Sequence, residues 1–243
     1  MEEPLIQNVK NSVKINHNVF SHYGFAWRKL WKYFLELLLV TIVSIILLLP
    51  TMIFENDGGN FFEHKRLSLD LIFVSFEGLS AYVILGLAYV LLFQWPLEYG
   101  ISYVNLRAAR SEKFQVKDMF ASFDNYWNVV FSNLLVFVIV GFGFALLIVP
   151  GIIFACKLSF VSYLVVDRKM EAVEAVKTSW QMTSGHTWLI FTIGFLTVFV
   201  FILGLLAFGV GVVLALMWIR LTFASVYFSV EQKANMNNVP LNT

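Results

Sequence analysis

Charged residues punctuate this chain so sparsely that the stretches between them define its elements. Four uncharged runs are long enough to matter: residues 37–54, 78–97, 125–156 and 178–219. The first two hold 18 and 20 residues. At about 1.5 Å of rise per residue, each makes one crossing of a roughly 30 Å hydrocarbon layer. The fourth holds 42 residues, about 63 Å of helix, which is two crossings folded back near Gly209 and Gly211. The third continues past the lone Lys157 to Val166, and Pro150-Gly151 falls past its middle, where a helix is expected to stop and turn. The pattern predicts an all-α, polytopic transmembrane helical bundle, with residues 1–243 as a single integral membrane domain. Its six spans are expected near 32–54, 73–99, 127–149, 151–166, 187–207 and 210–229.

Three stretches between the spans carry apolar residues at helical rather than random spacing, and each leads into an odd-numbered span. Before the first, Phe20, Tyr23, Trp27, Leu30, Trp31 and Phe34 recur at steps of three and four, with Arg28, Lys29 and Lys32 between them. Before the third, Val116, Met119, Phe120, Phe123 and Trp127 form a second stripe, preceded by Arg107, Arg110 and Lys113. Before the fifth, Met170, Val173, Val176, Trp180 and Thr183 form a third, opened by Asp167 as an N-cap and closed by Gly185 as a C-cap. These read as amphipathic elbow helices lying in the headgroup layer, where basic groups meet anionic lipid. The same surfaces could dock a protein partner.

Composition agrees with lipid as the surrounding medium. Residues of apolar and aromatic type make up 59% of the chain and charged ones 14%, against about 45–50% and 25% in a soluble domain. That leaves too little polar surface to cover a water-soluble globule. The formal charge is only +1, with no concentrated basic face of the kind a nucleic-acid binder needs, so nucleic acid is not an expected partner. Lysine and arginine are nonetheless distributed unevenly. Thirteen fall on the side of the termini and elbows, and only Lys65 and Arg66 on the other, which places both termini in the cytoplasm of a bacterial cell by the positive-inside rule. No charged start with a short apolar run and a small-residue cleavage site precedes residue 30, so the first span is expected to remain in the mature protein.

Two cations inside the spans need explaining, because a charge near the bilayer centre costs about 2.5–3.5 kcal/mol. Helical rise puts Lys157 and Arg220 below the outer turns, with Glu77, Glu98 and Glu36 as possible counterions. By depth Lys157 suits Glu77, and Arg220 can reach Glu98 or Glu36. Such groups either specify packing between helices or mark a route for an ion, proton or anionic headgroup. Small residues four apart, Gly141 with Ala145, Gly151 with Ala155 and Ser159, and Gly211 with Ala215, allow close helix contact.

Most signatures of catalysis are absent. The chain has no Walker loop, HExxH, CxxC or GxSxG. His17, His22, His64 and His186 are scattered and lack helical ligand spacing, and the single Cys156 suits packing, so neither a metal nor a cofactor is expected.

Several local sequences resemble a broad prokaryotic group of six-span membrane proteins of uncharacterised function, which includes the membrane domain fused to some glycerophosphodiester phosphodiesterases. The matching pieces are Pro96-Leu97-Glu98-Tyr99-Gly100 with the following elbow from Arg107 to Phe123, Val149-Pro150-Gly151-Ile152-Ile153 leading into Lys157-Leu158-Ser159-Phe160, and Glu174-Ala175-Val176-Lys177-Thr178-Ser179-Trp180 ending at Gly185. The resemblance implies the six-span fold and an accessory role, and it carries no catalytic residues. The expectation is a non-catalytic scaffold or accessory subunit. Its partners would be membrane lipid and a protein, or a second copy of the chain. A small transporter or channel using Lys157 and Arg220 is the alternative, and a lipid-modifying enzyme the third.

Overall fold

The computed structural model describes residues 19–48, 50, 81–207 and 210–238, and every regular element among them is helical. In order these are α1 (Val19–Lys32), α2 (Phe34–Ile46), α3 (Ala81–Tyr89), a π turn (Val90–Gln94), α4 (Trp95–Arg110) and a 3-10 helix (Val116–Asn125). Then come α5 (Tyr126–Leu146), α6 (Ile148–Lys157), α7 (Val161–Asp167), α8 (Ala172–Thr183), α9 (Thr187–Leu206) and α10 (Val210–Asn238).

Five continuous stretches are long and apolar enough to cross a membrane: Ile84–Arg110, Val116–Leu146, Ile148–Asp167, Thr187–Leu206 and Gly211–Ala234. The protein is a helical membrane protein. The first expected span corresponds to α2, which has 13 residues. It begins after a break at Tyr33 (φ −118°, ψ 34°) that separates it from the amphipathic α1. Residues 51–54 of that expectation, and 73–80 of the second, lie outside the described residues, as does Glu77. The second and sixth helices run further than expected, to Arg110 and Asn238, so each extends beyond its apolar segment into charged sequence.

Prolines shape the bundle differently from the expectation. The helix breaks at Leu147, whose backbone is extended (φ −163°, ψ 156°), three residues before Pro150. Pro150 lies in the first turn of α6, where an amide proton would be unpaired in any case. What folds the hairpin back is the close approach of Gly143 and Gly151. A Cβ on Gly143 would stand 2.7 Å from Phe154 Cδ2 and 3.0 Å from the Gly151 Cα. At Pro96 the missing amide proton and the ring clash release the carbonyl four residues earlier, that of Leu92, and the helix widens into the π turn. Tyr126 donates its hydroxyl to the released Leu92 carbonyl at 2.8 Å, which satisfies in a low-dielectric setting a group that would otherwise cost several kcal/mol, roughly.

Helix α10 is the centre of the bundle: 44% of its most apolar stretch is buried, against 17% for α9 and for the stretch through α5. Glu98 lies opposite Arg220 and Arg110 opposite Glu231, so α4 and α10 run parallel. Tyr163 stacks on Tyr227 at 4.9 Å and Arg168 reaches Glu231, so α7 runs the same way. Helix α9 is antiparallel, with Gly204 against Gly211 and Ala215 at one end and His186 beside Lys233 at the other. Gly211 therefore belongs to the packed start of α10 and not to the turn. The outward faces of α5, α6 and α9, including Phe137, Phe142, Leu147, Ile148, Phe195 and Leu206, remain exposed and apolar, which in a membrane protein is the lipid-facing surface.

All three elbows are amphipathic helices, two of them α and the middle one 3-10. Helices α1 and α8 are amphipathic α-helices. The middle elbow is a 3-10 helix folded back along α4. Met119 is fully buried there, and Ser122 donates to the Pro96 carbonyl at 2.6 Å. Gly100 makes this possible, since a Cβ would occupy the space of the Met119 carbonyl. Asp167 does not cap α8. It ends α7 and pairs with Arg110, while Glu171 takes the N-cap position. Gly185 adopts φ +87° just beyond the end of α8, a conformation that suits glycine.

Candidate functional site at the charged end of the bundle

Ten residues into α10, Arg220 faces α4. Its Nη2 donates to Glu98 Oε1 at 2.8 Å and its Nη1 to Ser44 Oγ at 3.3 Å, so one guanidinium ties α10 to both α4 and α2. Of the two counterions within its expected reach, Glu98 is the one it meets. Glu36, in the first turn of α2, instead lines a separate cleft with Arg107 and Lys113.

Lys157, the last residue of α6, donates to Ser184 Oγ at 2.9 Å, and its ammonium lies 5.2 Å from the centroid of the Trp180 ring. Its main-chain carbonyl accepts from Ser179 at 2.8 Å and Thr183 at 3.2 Å. The third elbow thus grips the end of α6 through both backbone and side chain. Lys157 and Arg220 fall into separate sets of contacts. The start of α8 is fixed by Asn128, which donates to the Met170 carbonyl at 2.8 Å and accepts the Ala172 amide at 2.9 Å.

A cluster of four charges, not anticipated as a unit, closes this end. Arg110 makes a two-pronged contact with Asp167 at 2.7 and 2.8 Å and also donates to Glu231 at 2.6 Å. Arg168 completes it through Glu231 at 2.9 Å. Two cations and two anions balance, which offsets the cost of drawing them out of water. Burial pulls the Arg168 guanidinium toward deprotonation, but the Glu231 hydrogen bond together with the neighbouring Tyr227, Glu231 and Asp167 outweighs it and holds Arg168 above its ordinary range. The sequence did hold a signal: Glu231 follows Arg220 by 11 residues, three helical turns, and so shares its face of α10.

The elbow residues gather aromatic rings around this end. Trp27 stands 4.9 Å from Trp218 and 5.7 Å from Trp31, and Trp218 donates its indole N–H to the Tyr23 carbonyl at 2.9 Å. Tyr23 in turn donates to the Ile193 carbonyl at 3.0 Å, so α1 is latched to α9 and α10. Arg28 is exposed. Lys29 donates to Ser111; burial, followed by the neighbouring Lys32, lowers its ammonium below the usual lysine range. Phe120 and Phe123 join a run of rings with Phe93, Tyr126 and Trp127, the last of these 77% exposed.

Between α2, the end of α4 and the 3-10 helix lies an open cleft of about 460 Å³, lined by Tyr33, Glu36, Arg107, Lys113, Phe114, Gln115, Lys117 and Asp118. Arg107 is paired with Asp118 at 2.9 Å. No group of three or more His, Cys, Asp or Glu residues able to hold a metal occurs among the described residues. No protein-family model, curated protein or solved structure matches the chain.

Proposed function

We propose that this chain is a non-catalytic scaffold or accessory subunit of a bacterial cytoplasmic membrane, with both termini inside, that engages lipid and a protein partner. The observation that carries the reading is the use of its intramembrane and end-of-helix charges as ties between helices. Arg220 joins α10 to Glu98 on α4 and Ser44 on α2, Lys157 joins α6 to Ser184 at the C-cap of α8, and Arg110 joins α4 to α7 and α10. Charges used in this way fix a rigid platform with its elbows exposed. The thirteen lysines and arginines on the elbow side support the orientation. The resemblance of residues 90–190 to six-span prokaryotic membrane proteins belongs to the same proposal.

Affinity purification of the intact protein after gentle solubilisation, followed by mass spectrometry, tests it. A stoichiometric protein partner, lost when exposed elbow residues such as Trp127 and Phe120 are replaced by serine, is the expected result. Partner-free protein that moves solute across liposomes, with Arg220→Leu abolishing the flux, would replace the scaffold by a transporter.

A further inference from the structure

The cleft at the foot of α2 carries an unusual charge arrangement. Arg107 is paired with Asp118 at 2.9 Å and with Glu112 at 3.5 Å. Lys113 and Lys117 are exposed, and among the described residues neither makes a hydrogen bond or ion pair; the same holds for Glu36 on the facing helix. Two free ammonium groups and one free carboxylate therefore share a space of about 460 Å³, within the usual range for a small-molecule site. A purely anionic group would satisfy the lysines but meet repulsion from Glu36. A group carrying both a phosphate and an ammonium satisfies all three. Tyr33 and Phe114, whose ring centroids are 5.4 Å apart, wall the cleft, with the Tyr33 ring already carrying the Lys32 ammonium 5.2 Å from its centroid.

The same helix supplies a path for hydrocarbon. Leu35, Leu39, Ile42 and Ile46 are 65%, 45%, 39% and 55% exposed, and their spacing of four, three and four forms one stripe that starts beside Glu36 and climbs α2. We propose that this cleft is a binding site for a zwitterionic aminophospholipid. Its phosphate sits between Lys113 and Lys117, its ammonium against Glu36, and an acyl chain lies along the α2 stripe. This rests on the reading of the chain as a membrane subunit that engages lipid, and it names the lipid.

The test is native mass spectrometry of the full-length protein titrated with phosphatidylethanolamine, phosphatidylglycerol and phosphatidylcholine of identical chains. Phosphatidylethanolamine is expected to be preferred over phosphatidylglycerol by roughly tenfold, the worth of one charge-assisted contact. Glu36→Gln should abolish that preference while phosphate-bearing lipids still bind, and Lys113→Gln with Lys117→Gln should weaken all three. All three positions are exposed, so the variants fold. Equal retention of the three lipids by the wild type, or an unchanged preference in Glu36→Gln, overturns the site while leaving general lipid engagement and the partner test untouched. Binding of water-soluble O-phosphoethanolamine as tight as that of the diacyl lipid overturns the lipid assignment.

Discussion

Arg220 Nη2 stands 2.8 Å from Glu98 Oε1, and through that contact the central helix α10 is fastened to α4. The arginine side chain is 21% exposed and the glutamate 46%, so the two partners tolerate separation unequally. Glu98→Leu strands a mostly buried cation, whereas Arg220→Leu leaves a carboxylate that can still hydrate. Glu98→Leu should therefore be the more damaging single change, and the double variant should recover part of the loss. A coupling of about 1–2 kcal/mol is expected from thermal unfolding in detergent. Strictly additive effects would mean the pair does not hold the helices together.

Arg110 serves two carboxylates at once, and removing it leaves Asp167 unpaired and Glu231 with Arg168 alone. Arg110→Met should cost about 3–5 kcal/mol. Arg168→Met, at the more exposed corner, should cost clearly less. Lysine at 110 should rescue poorly, because a point charge cannot reproduce the forked contact with Asp167. Melting temperatures of the three variants check the order.

Gly100 and Gly141 differ in what surrounds them. A side chain at 100 collides with the backbone at Met119, while nothing lies within 4 Å of a Cβ at 141. Gly100→Ala should displace the 3-10 helix and destabilise the protein by at least about 1–3 kcal/mol. Gly141→Ala should be neutral or slightly stabilising, since alanine favours the helix. Similar behaviour of the two would contradict the close approach of α4 and the 3-10 helix.

Lys29 has its ammonium depressed by burial and then by Lys32. The unfolded chain therefore binds the proton more tightly than the folded protein does. Stability should be insensitive to this group at neutral pH and should rise as pH climbs from the folded-state value to the ordinary lysine range. Lys29→Met should remove that alkaline rise, measured as the difference in melting temperature between neutral and alkaline buffer.

Contacts between Lys29 and Ser111 and between His186 and Lys233, with the charge cluster around Arg110, gather five distant parts of the chain at one end of the bundle. Single cysteines at Arg28, Ser111, Lys169 and Lys233, with Cys156 replaced by serine, should all label from the same side of the membrane. Labelling of position 111, 169 or 233 from the opposite side would refute the parallel course of α4, α7 and α10, and labelling of position 28 from that side would refute the docking of α1 at this end.

The sequence by itself determined the medium and most of the helices. Long uncharged runs have no other stable home than a bilayer, and inside it the backbone must be helical to satisfy its own hydrogen bonds. Thus the limits of α9 and the start of α10, flanked by turns and charges, were legible within a residue or two. The amphipathic stripes of α1 and α8 were legible for the same reason, since helical periodicity is written locally. What only the tertiary structure decided depends on which helix meets which. The hairpin turns at Leu147, not Pro150, because Gly143 and Gly151 pack face to face. Asp167, locally a plausible cap, finds a stronger partner in Arg110 from 57 residues away. The middle elbow is drawn into a 3-10 helix against α4 because Gly100 lets two backbones touch. Composition and period report the solvent of each segment, whereas charge partners and close approaches are fixed by three-dimensional neighbours that no local window contains.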